Sequence, residues 1–457
     1  MAAIVAFLTV LICLLLADGA ALVTKRTDDK SEIWGYVSVR PRAHIFWWHY
    51  TSPHRVSSPT RPWPTILLLQ GSQLGGSSVG NGNFAEIGPL DEELKPRNST
   101  WLHKADLLFV DHPVGVGYSY ADDRSGLATT DVQAAADATE LDKALATRIL
   151  PDLKSSPLFI VGQAYGGKLA AMIGASLAKA IRAGDINLTL GGVVIGNGWI
   201  SLADFSTFTG RDTAISYFKF SLVIRVPIRL TYARMLSDVS WLDGNAVDEV
   251  NKMAGKVKEQ TAAGQFATSL QTFTDLLYLI DSKSDSVNMF NYMTGTGMGM
   301  MLITGDNTPK ARSSPLTMYL GRDISTIMNG VIKRKLKIIP KDLVWQQWSL
   351  DVYEAMKNDF MRPAINVVDE LLSLGVNVTL YNGQLDVLCS STGTQEWLKK
   401  LKKPLHFCLP YYIPNGFVKA HKNLQHYSIL QAGQAVPVDQ PCTALHMIGA
   451  IMQSPDV

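Results

Sequence analysis

Four short apolar runs constrain this chain more than any other feature of its sequence. They are residues 65–70 (TILLLQ), 107–111 (LLFVD), 158–162 (LFIVG) and 192–196 (GVVIG), each ending in Gln, Asp or Gly. A strand with one face in water alternates apolar and polar residues. A strand that is apolar throughout is buried on both faces, as in a parallel sheet covered by helices. Between the runs, residues 131–150 are rich in Ala and Leu, with Thr130 or Asp131 placed to cap the first helical turn. This βαβα order predicts an α/β fold built on an open, doubly wound, mostly parallel sheet.

From residue 201 to about 335 the strand-like runs vanish and helical periodicity takes over, with a Met/Gly-rich stretch at 293–301. A helical insertion on such a sheet is expected to form a cap over the carboxyl ends of the strands, where ligands bind. Gly295-Thr296-Gly297-Met298-Gly299 lacks the spacing and the βαβ frame of a dinucleotide loop and reads as an ordinary loop. Sheet character returns at 377–381 (NVTLY), after a helical stretch over 364–374 that stops at Gly375. The expected organisation is a leader at 1–19, a first core segment at 20–200, a helical cap at 201–335 and a second core segment at 336–457.

Residues 2–17 form an apolar run, followed by Asp18, Gly19 and Ala20. The run is shorter than the roughly 20 residues that span a bilayer. Ala17 and Gly19 are spaced like the small residues of a signal-peptidase site, although no Lys or Arg precedes the run. No second apolar run of spanning length follows, so a secreted or lysosomal luminal protein without a membrane span is expected. Cleavage removes Cys13 and leaves Cys389, Cys408 and Cys442, enough for at most one bridge and one leftover thiol. Sequons at Asn98, Asn187 and Asn377 permit N-glycosylation.

Composition narrows the class further. Hydrophobic residues make up 47% and charged residues 18%, which excludes an intrinsically disordered chain. With 42 Lys+Arg against 40 Asp+Glu there is no cationic excess for nucleic acid. No His/Cys cluster has metal-ligand spacing, and no cofactor or metal is expected.

The run at 158–162 leads into Gly162-Gln163-Ala164-Tyr165-Gly166-Gly167-Lys168 and then an Ala-rich helical stretch at 169–183. This is the strand–turn–helix frame of the G-x-S-x-G nucleophile elbow of α/β-hydrolases, with Ala164 where the serine belongs. The glycines meet the motif's physical need, because the central residue takes a strained backbone and neighbouring chains approach too closely for a Cβ.

Around that elbow the chain resembles the serine carboxypeptidase family, with most likeness to its retinoid-inducible branch. The resemblance rests on Phe46-Trp47-Trp48, Gly82-Asn83-Phe84 through Glu86-Ile87-Gly88-Pro89, and Leu108-Phe109-Val110-Asp111-His112-Pro113-Val114-Gly115. It continues in Gly196-Asn197-Gly198, Tyr381-Asn382-Gly383-Gln384-Leu385-Asp386, and Ala432-Gly433 with Val436-Pro437 and Asp439-Gln440-Pro441. These stretches follow the family order across nearly the whole chain. They imply an α/β-hydrolase fold with a helical cap.

Carried over residue by residue, the resemblance puts the nucleophile at Ala164, the triad aspartate at Asp386 and the triad histidine at Gln434. Nucleophilic hydrolysis needs an attacking group and a base that returns its proton, and neither a methyl nor an amide supplies these. The family's substrate-carboxylate Glu falls on Gln163, its Asn or Gln on Gln70 beside Gly71, and its partner carboxylate on Glu86. One oxyanion-hole amide is assigned to Tyr165. The other comes from the loop at Ser72, where Gly71-Ser72-Gln73-Leu74-Gly75-Gly76 loses the family's Pro and gains a residue.

Other groups deserve weighing as replacements. Ser72, Ser77 and Ser78 lie in the Gly-rich loop. Cys389 follows Asp386 by three residues and reads as a small buried residue or bridge partner. His112 stands where the family has Asn and reads as structural. His426 precedes Gln434 by eight residues, about 26 Å if that stretch is extended.

An engineered Ser→Ala trap predicts one change. Ala164, Gln434, Gln163 and the rebuilt loop fit a natural lineage that left catalysis. The expected protein is a catalytically inactive carboxypeptidase homologue, monomer or homodimer, binding peptide C-termini or a protein partner. The alternatives are a serine-type hydrolase with relocated residues and a purely structural or storage glycoprotein.

Overall fold

The computed structural model describes residues 22–56, 62–71, 76–206, 232–294, 324–402, 411–413 and 415–454. The leader at 1–19, Ser72, the loop at 295–299 and Cys408 lie outside the described residues.

The strands, in chain order, begin with β1 (Leu22–Arg26), β2 (Glu32–Arg40), β3 (Ala43–Tyr50) and β4 (Thr65–Leu69). Next come β5 (Gly76–Ser77), β6 (Asp106–His112), β7 (Tyr120–Ala121), β8 (Leu158–Gln163) and β9 (Leu190–Gly196). The last four are β10 (Val378–Gly383), β11 (Tyr411–Ile413), β12 (Gly416–His421) and β13 (Leu424–Ile429). They make one sheet in the order β1-β2-β3-β6-β4-β8-β9-β10-β13-β12-β11, with β5 and β7 as short additions on β6 and β3. The run from β6 to β13 is parallel throughout. The four apolar runs read from the sequence are its β6, β4, β8 and β9.

Both outer flanks are antiparallel, and the sequence pattern did not reveal them. In β3 (AHIFWWHY), large apolar residues face both ways, so period-two alternation is lost. In β13 (LQHYSI), Gln425, His426 and Ser428 interrupt the apolar run.

Two cores lie on the two faces, and successive residues of each strand go to opposite ones. Trp47, Leu67, Leu69, Leu108, Val110, Ile160 and Val193 join one cluster. Trp48, Leu68, Phe109, Phe159 and Val194 join the other. The first is covered by α1 (Asp131–Ala144), α2 (Tyr165–Ala183) and, further along, by α3 (Gly244–Ala262), α4 (Phe266–Lys283) and α5 (Ile365–Ser373). The second is covered by a wide helical turn at Ser78–Ile87 and by α6 (Pro441–Met452). Thr130 caps α1 by accepting the Gln133 amide at 3.1 Å, and α5 gives way to Gly375 at φ 76°.

Between β9 and β10 the described residues contain helices and no strand. This helical segment is anchored to the sheet beside β10. The Tyr232 hydroxyl donates to the Leu388 carbonyl at 2.8 Å, and the Met289 carbonyl accepts the Val387 and Leu388 amides.

Candidate functional site

Three strand ends converge at the carboxyl edge of the parallel sheet. β8 delivers Ala164, which sits at φ 53° and ψ −121° immediately before α2. The turn is clamped on both sides, the Ala164 amide donating to the Gly196 carbonyl (3.0 Å) and the Ala164 carbonyl accepting the Trp199 amide (2.9 Å). The flanking glycines are obligatory, since a Cβ on Gly162 would lie 2.0 Å from the Gly166 carbonyl oxygen and one on Gly166 2.6 Å from that of Leu69. The elbow geometry read from the sequence is present, with a buried methyl at its apex.

The stretch after β10 delivers Asp386, fully buried. Its Oδ2 accepts the Asn197 side-chain amide at 2.5 Å and its Oδ1 accepts the Cys389 backbone amide at 2.9 Å. Burial pushes the carboxyl up to about 7, against the pull of the Cys389 and Asn197 hydrogen bonds. The stretch after β13 delivers Gln434, tied by its main chain on two sides. Its amide donates to the Phe290 carbonyl (2.8 Å), and its carbonyl accepts the Gln163 side-chain amide (2.8 Å). One residue earlier, the Gly433 amide donates to Asp439 Oδ2 at 2.7 Å, which also accepts Asn291 Nδ2 at 3.1 Å. The Leu385 amide donates to the Ala432 carbonyl at 2.8 Å, so the segments carrying Asp386 and Gln434 are joined directly.

Beside the elbow the polar side chains form a network. Gln70 Nε2 donates to Gln163 Oε1 at 3.2 Å, and Gln70 also hydrogen-bonds Glu86. Glu86 is half-buried, and desolvation raises its carboxyl to about 7. Gln70 and Arg97 act in the opposite direction, and Asp439 adds to the rise. The structure thus brings together Gln70, Glu86, Gln163 and the Gln434 main chain.

The amide assigned to the oxyanion hole has a partner within the chain. The Tyr165 amide donates to the Gly71 carbonyl at 3.1 Å. Gly76 also packs so closely against Gly71 that a Cβ on it would lie 2.5 Å from the Gly71 Cα. The donor that should face a substrate is engaged by the chain itself.

The replacement groups have other occupations. Ser77 donates to Asp111 Oδ1 (2.6 Å) and Ser78 to the Val110 carbonyl (2.7 Å), both buried. The Cys389 thiol is fully buried and raised well above its ordinary range by desolvation; it forms no bridge. His112 Nε2 meets the Ala134 carbonyl at 2.9 Å on α1, and burial depresses the ring's proton affinity. His426 Nε2 meets Asn382 Oδ1 at 3.0 Å inside the sheet, and burial lowers it to about 4. The stretch from His426 to Gln434 leaves the strand where β13 ends and turns at Gln431 (φ 57°).

Sequence reading gave no role to Asn197 as donor to Asp386, to Asp439, or to Phe290 and Asn291. Asn197 and Asp439 stood inside recognisable motifs, which was the available signal. Phe290 and Asn291 carried none.

A glycine-framed strand–turn–helix elbow, with polar residues from later strand ends beside it on a mostly parallel sheet, defines an α/β-hydrolase fold. The chain belongs to the serine carboxypeptidase family, whose pattern it matches over residues 23–454. It is 45% identical to serine carboxypeptidase-like 51 of Arabidopsis thaliana, covering 95% of both chains. It is 36% identical to the human retinoid-inducible serine carboxypeptidase, covering 98% of this chain and 97% of that one. Among solved structures it resembles the Kex1 prohormone-processing carboxypeptidase of Saccharomyces cerevisiae, with a TM-score of 0.71, 18% identity, and coverage of 92% and 91%. No helix among the described residues is long and apolar enough to cross a membrane.

Proposed function

We propose that this protein is a secreted or lysosomal, catalytically inactive member of the serine carboxypeptidase family that holds peptide C-termini beside its elbow. The observation that carries the reading is Ala164 at the apex of the elbow, backed by Gln434 where the family's base belongs. A methyl has no lone pair to attack a carbonyl, and an amide does not titrate near neutrality. In a serine hydrolase, losses of triad members cost on the order of 10⁶ in turnover and overlap rather than multiply. Binding is supported by what survives. Gln70, Gln163 and Glu86 form a polar cluster at the strand ends, and relatives named carboxypeptidases act on peptide carboxyl ends. The leader at 1–19 would deliver the chain to the lumen, where the exposed Asn98, Asn187 and Asn377 would accept glycans.

The experiment offers the purified protein blocked dipeptides between about pH 4 and 7, together with a fluorophosphonate probe that needs an activated serine. No turnover and no labelling are expected. Turnover or labelling removed by mutating Ser77 or Ser78 would overturn inactivity in favour of a hydrolase with a relocated nucleophile.

A further inference from the structure

The near balance of 42 Lys+Arg against 40 Asp+Glu hides a local excess. Residues 331–344 (VIKRKLKIIPKDLV) hold five cations and one carboxylate, so this segment alone is more positive than the whole chain, whose net charge is +2. The rest of the chain is net negative, and positive potential concentrates here.

The fold packs these charges together. A helical run over residues 324–336 ends at Leu336, and Lys337 (φ 56°) turns the chain out of it. Lys333 clips the following loop to the helix, its Nζ donating to the Lys341 and Leu343 carbonyls at 2.8 and 2.6 Å. On the sheet side, Trp34 Nε1 in β2 donates to the Leu336 carbonyl at 3.0 Å. Lys25 in β1 stands opposite Trp34 in the antiparallel register, so the two side chains share a face. Lys25 therefore flanks the helix end that carries Arg334, Lys335 and Lys337.

The fold itself employs two of these cations. Lys333 holds the loop, and Lys335 pairs with both Glu32 oxygens at 2.8 and 2.7 Å, lying 5.0 Å from the centre of a Trp48 ring. A helix dipole favours cations in the last turn, and these two already supply them. Lys25, Arg334, Lys337 and Lys341 are exposed, and no carboxylate among the described residues pairs with them. Clustered like charges oppose folding, and packing gives no reason to gather four of them at one edge.

Their arrangement selects the kind of anion. A small anion needs donors that enclose it, whereas these stand on a strand, a helix and a loop, each exposed. A bilayer needs apolar anchors, yet the exposed apolar side chains of these segments are Val23, Val331 and Val344, with no aromatic among them. A chain of repeated anions can reach dispersed cations one by one and gains from releasing its counterions. We propose that this edge of the sheet is a docking surface for a sulfated polysaccharide. The extended polyanion follows from the charges; its being a polysaccharide rests on the reading that the chain is delivered to a lumen.

The test titrates heparin oligosaccharides, and the same oligosaccharides stripped of sulfate, into the full chain by calorimetry. Double-stranded DNA and vesicles containing phosphatidylserine are run beside them. Only the sulfated form is expected to bind well, and with four contacts its affinity should fall about 50-fold between about 50 and 200 mM salt. The triple variant Arg334→Glu, Lys337→Glu, Lys341→Glu is expected to lose at least about 100-fold in affinity. Its neutral counterpart with Gln at the same three positions should lower the salt slope by about 2 to 3. Lys252→Glu, Lys256→Glu, Lys258→Glu on α3 changes the net charge equally and should stay within about twofold of the parent.

Equal losses in the two Glu triple variants would overturn the assignment to this edge. Equal binding of the desulfated oligosaccharide, or tighter binding of DNA or vesicles, would overturn the polysaccharide. No heparin binding at about 50 mM salt would overturn docking altogether. Endoglycosidase-sensitive glycans on the chain made in cells check the luminal reading independently, and their absence would remove that reading and the polysaccharide with it.

Discussion

At φ 53° and ψ −121°, Ala164 occupies backbone space that suits glycine. The elbow holds it there by hydrogen bonds to Gly196 and Trp199, and residues so held cost about 1–3 kcal/mol. In an active hydrolase such strain serves to present a hydroxyl. Here it presents a methyl packed in the core. Ala164→Gly is therefore expected to stabilise the fold by about 1 kcal/mol, the relief of strain exceeding the entropy glycine adds to the unfolded chain. Urea unfolding of the two proteins checks this. A lower midpoint for the glycine variant would show that the buried methyl contributes more than the strain costs.

The first turn of α2 is the element on which the family's chemistry depends, and its leading amide is already engaged by Gly71. Restoring side chains does not free that amide. Loss of one oxyanion donor alone costs about 10²–10³ in turnover. The double variant Ala164→Ser, Gln434→His is thus expected to remain at least about 10²-fold below an intact family member assayed beside it. Recovery to that member's turnover would show that the Tyr165–Gly71 hydrogen bond opens readily to substrate.

The same element shows what the sequence disclosed and what it hid. β8 and α2 were readable because burial on both faces leaves an unbroken apolar run and because the elbow needs glycines at fixed offsets. Thr130 announced the start of α1 by its side chain. The antiparallel flank β1–β3 gave no period because its aromatics face both cores. The engagement of Tyr165 by Gly71 and of Asp386 by Asn197 joins residues far apart in sequence. No local pattern encodes a hydrogen bond of that kind.

On the scale of the whole molecule, the buried carboxyls outweigh the buried imidazoles. Desolvation raises Asp106 to about 6, Glu86, Asp111 and Asp386 to about 7, and Asp142 to about 8. Their contribution to stability is complete below the unfolded carboxylate range and is lost as pH climbs through about 6 to 8. His49 and His426 run the opposite way. Burial lowers both to about 4, so stability from their neutral rings is complete above about 6.5 and is lost as pH falls toward 4. His112 is shifted in the same direction as these two.

Between about pH 5 and 8 the folded chain therefore holds more protons than the unfolded one, and stability falls as pH rises. The thermal midpoint is expected to peak on the acidic side of neutrality and to drop by several degrees by about pH 8. Asp142 should contribute most at the alkaline end, because its Oδ2 has no hydrogen-bond partner and burial alone shifts it. Asp142→Leu removes a carboxyl that must ionise without compensation, so it should flatten the alkaline limb of the curve. Scanning calorimetry of both proteins across this range decides the matter. A midpoint that rises steadily from pH 5 to 8 would mean that the imidazoles, not the carboxyls, govern the fold's proton balance.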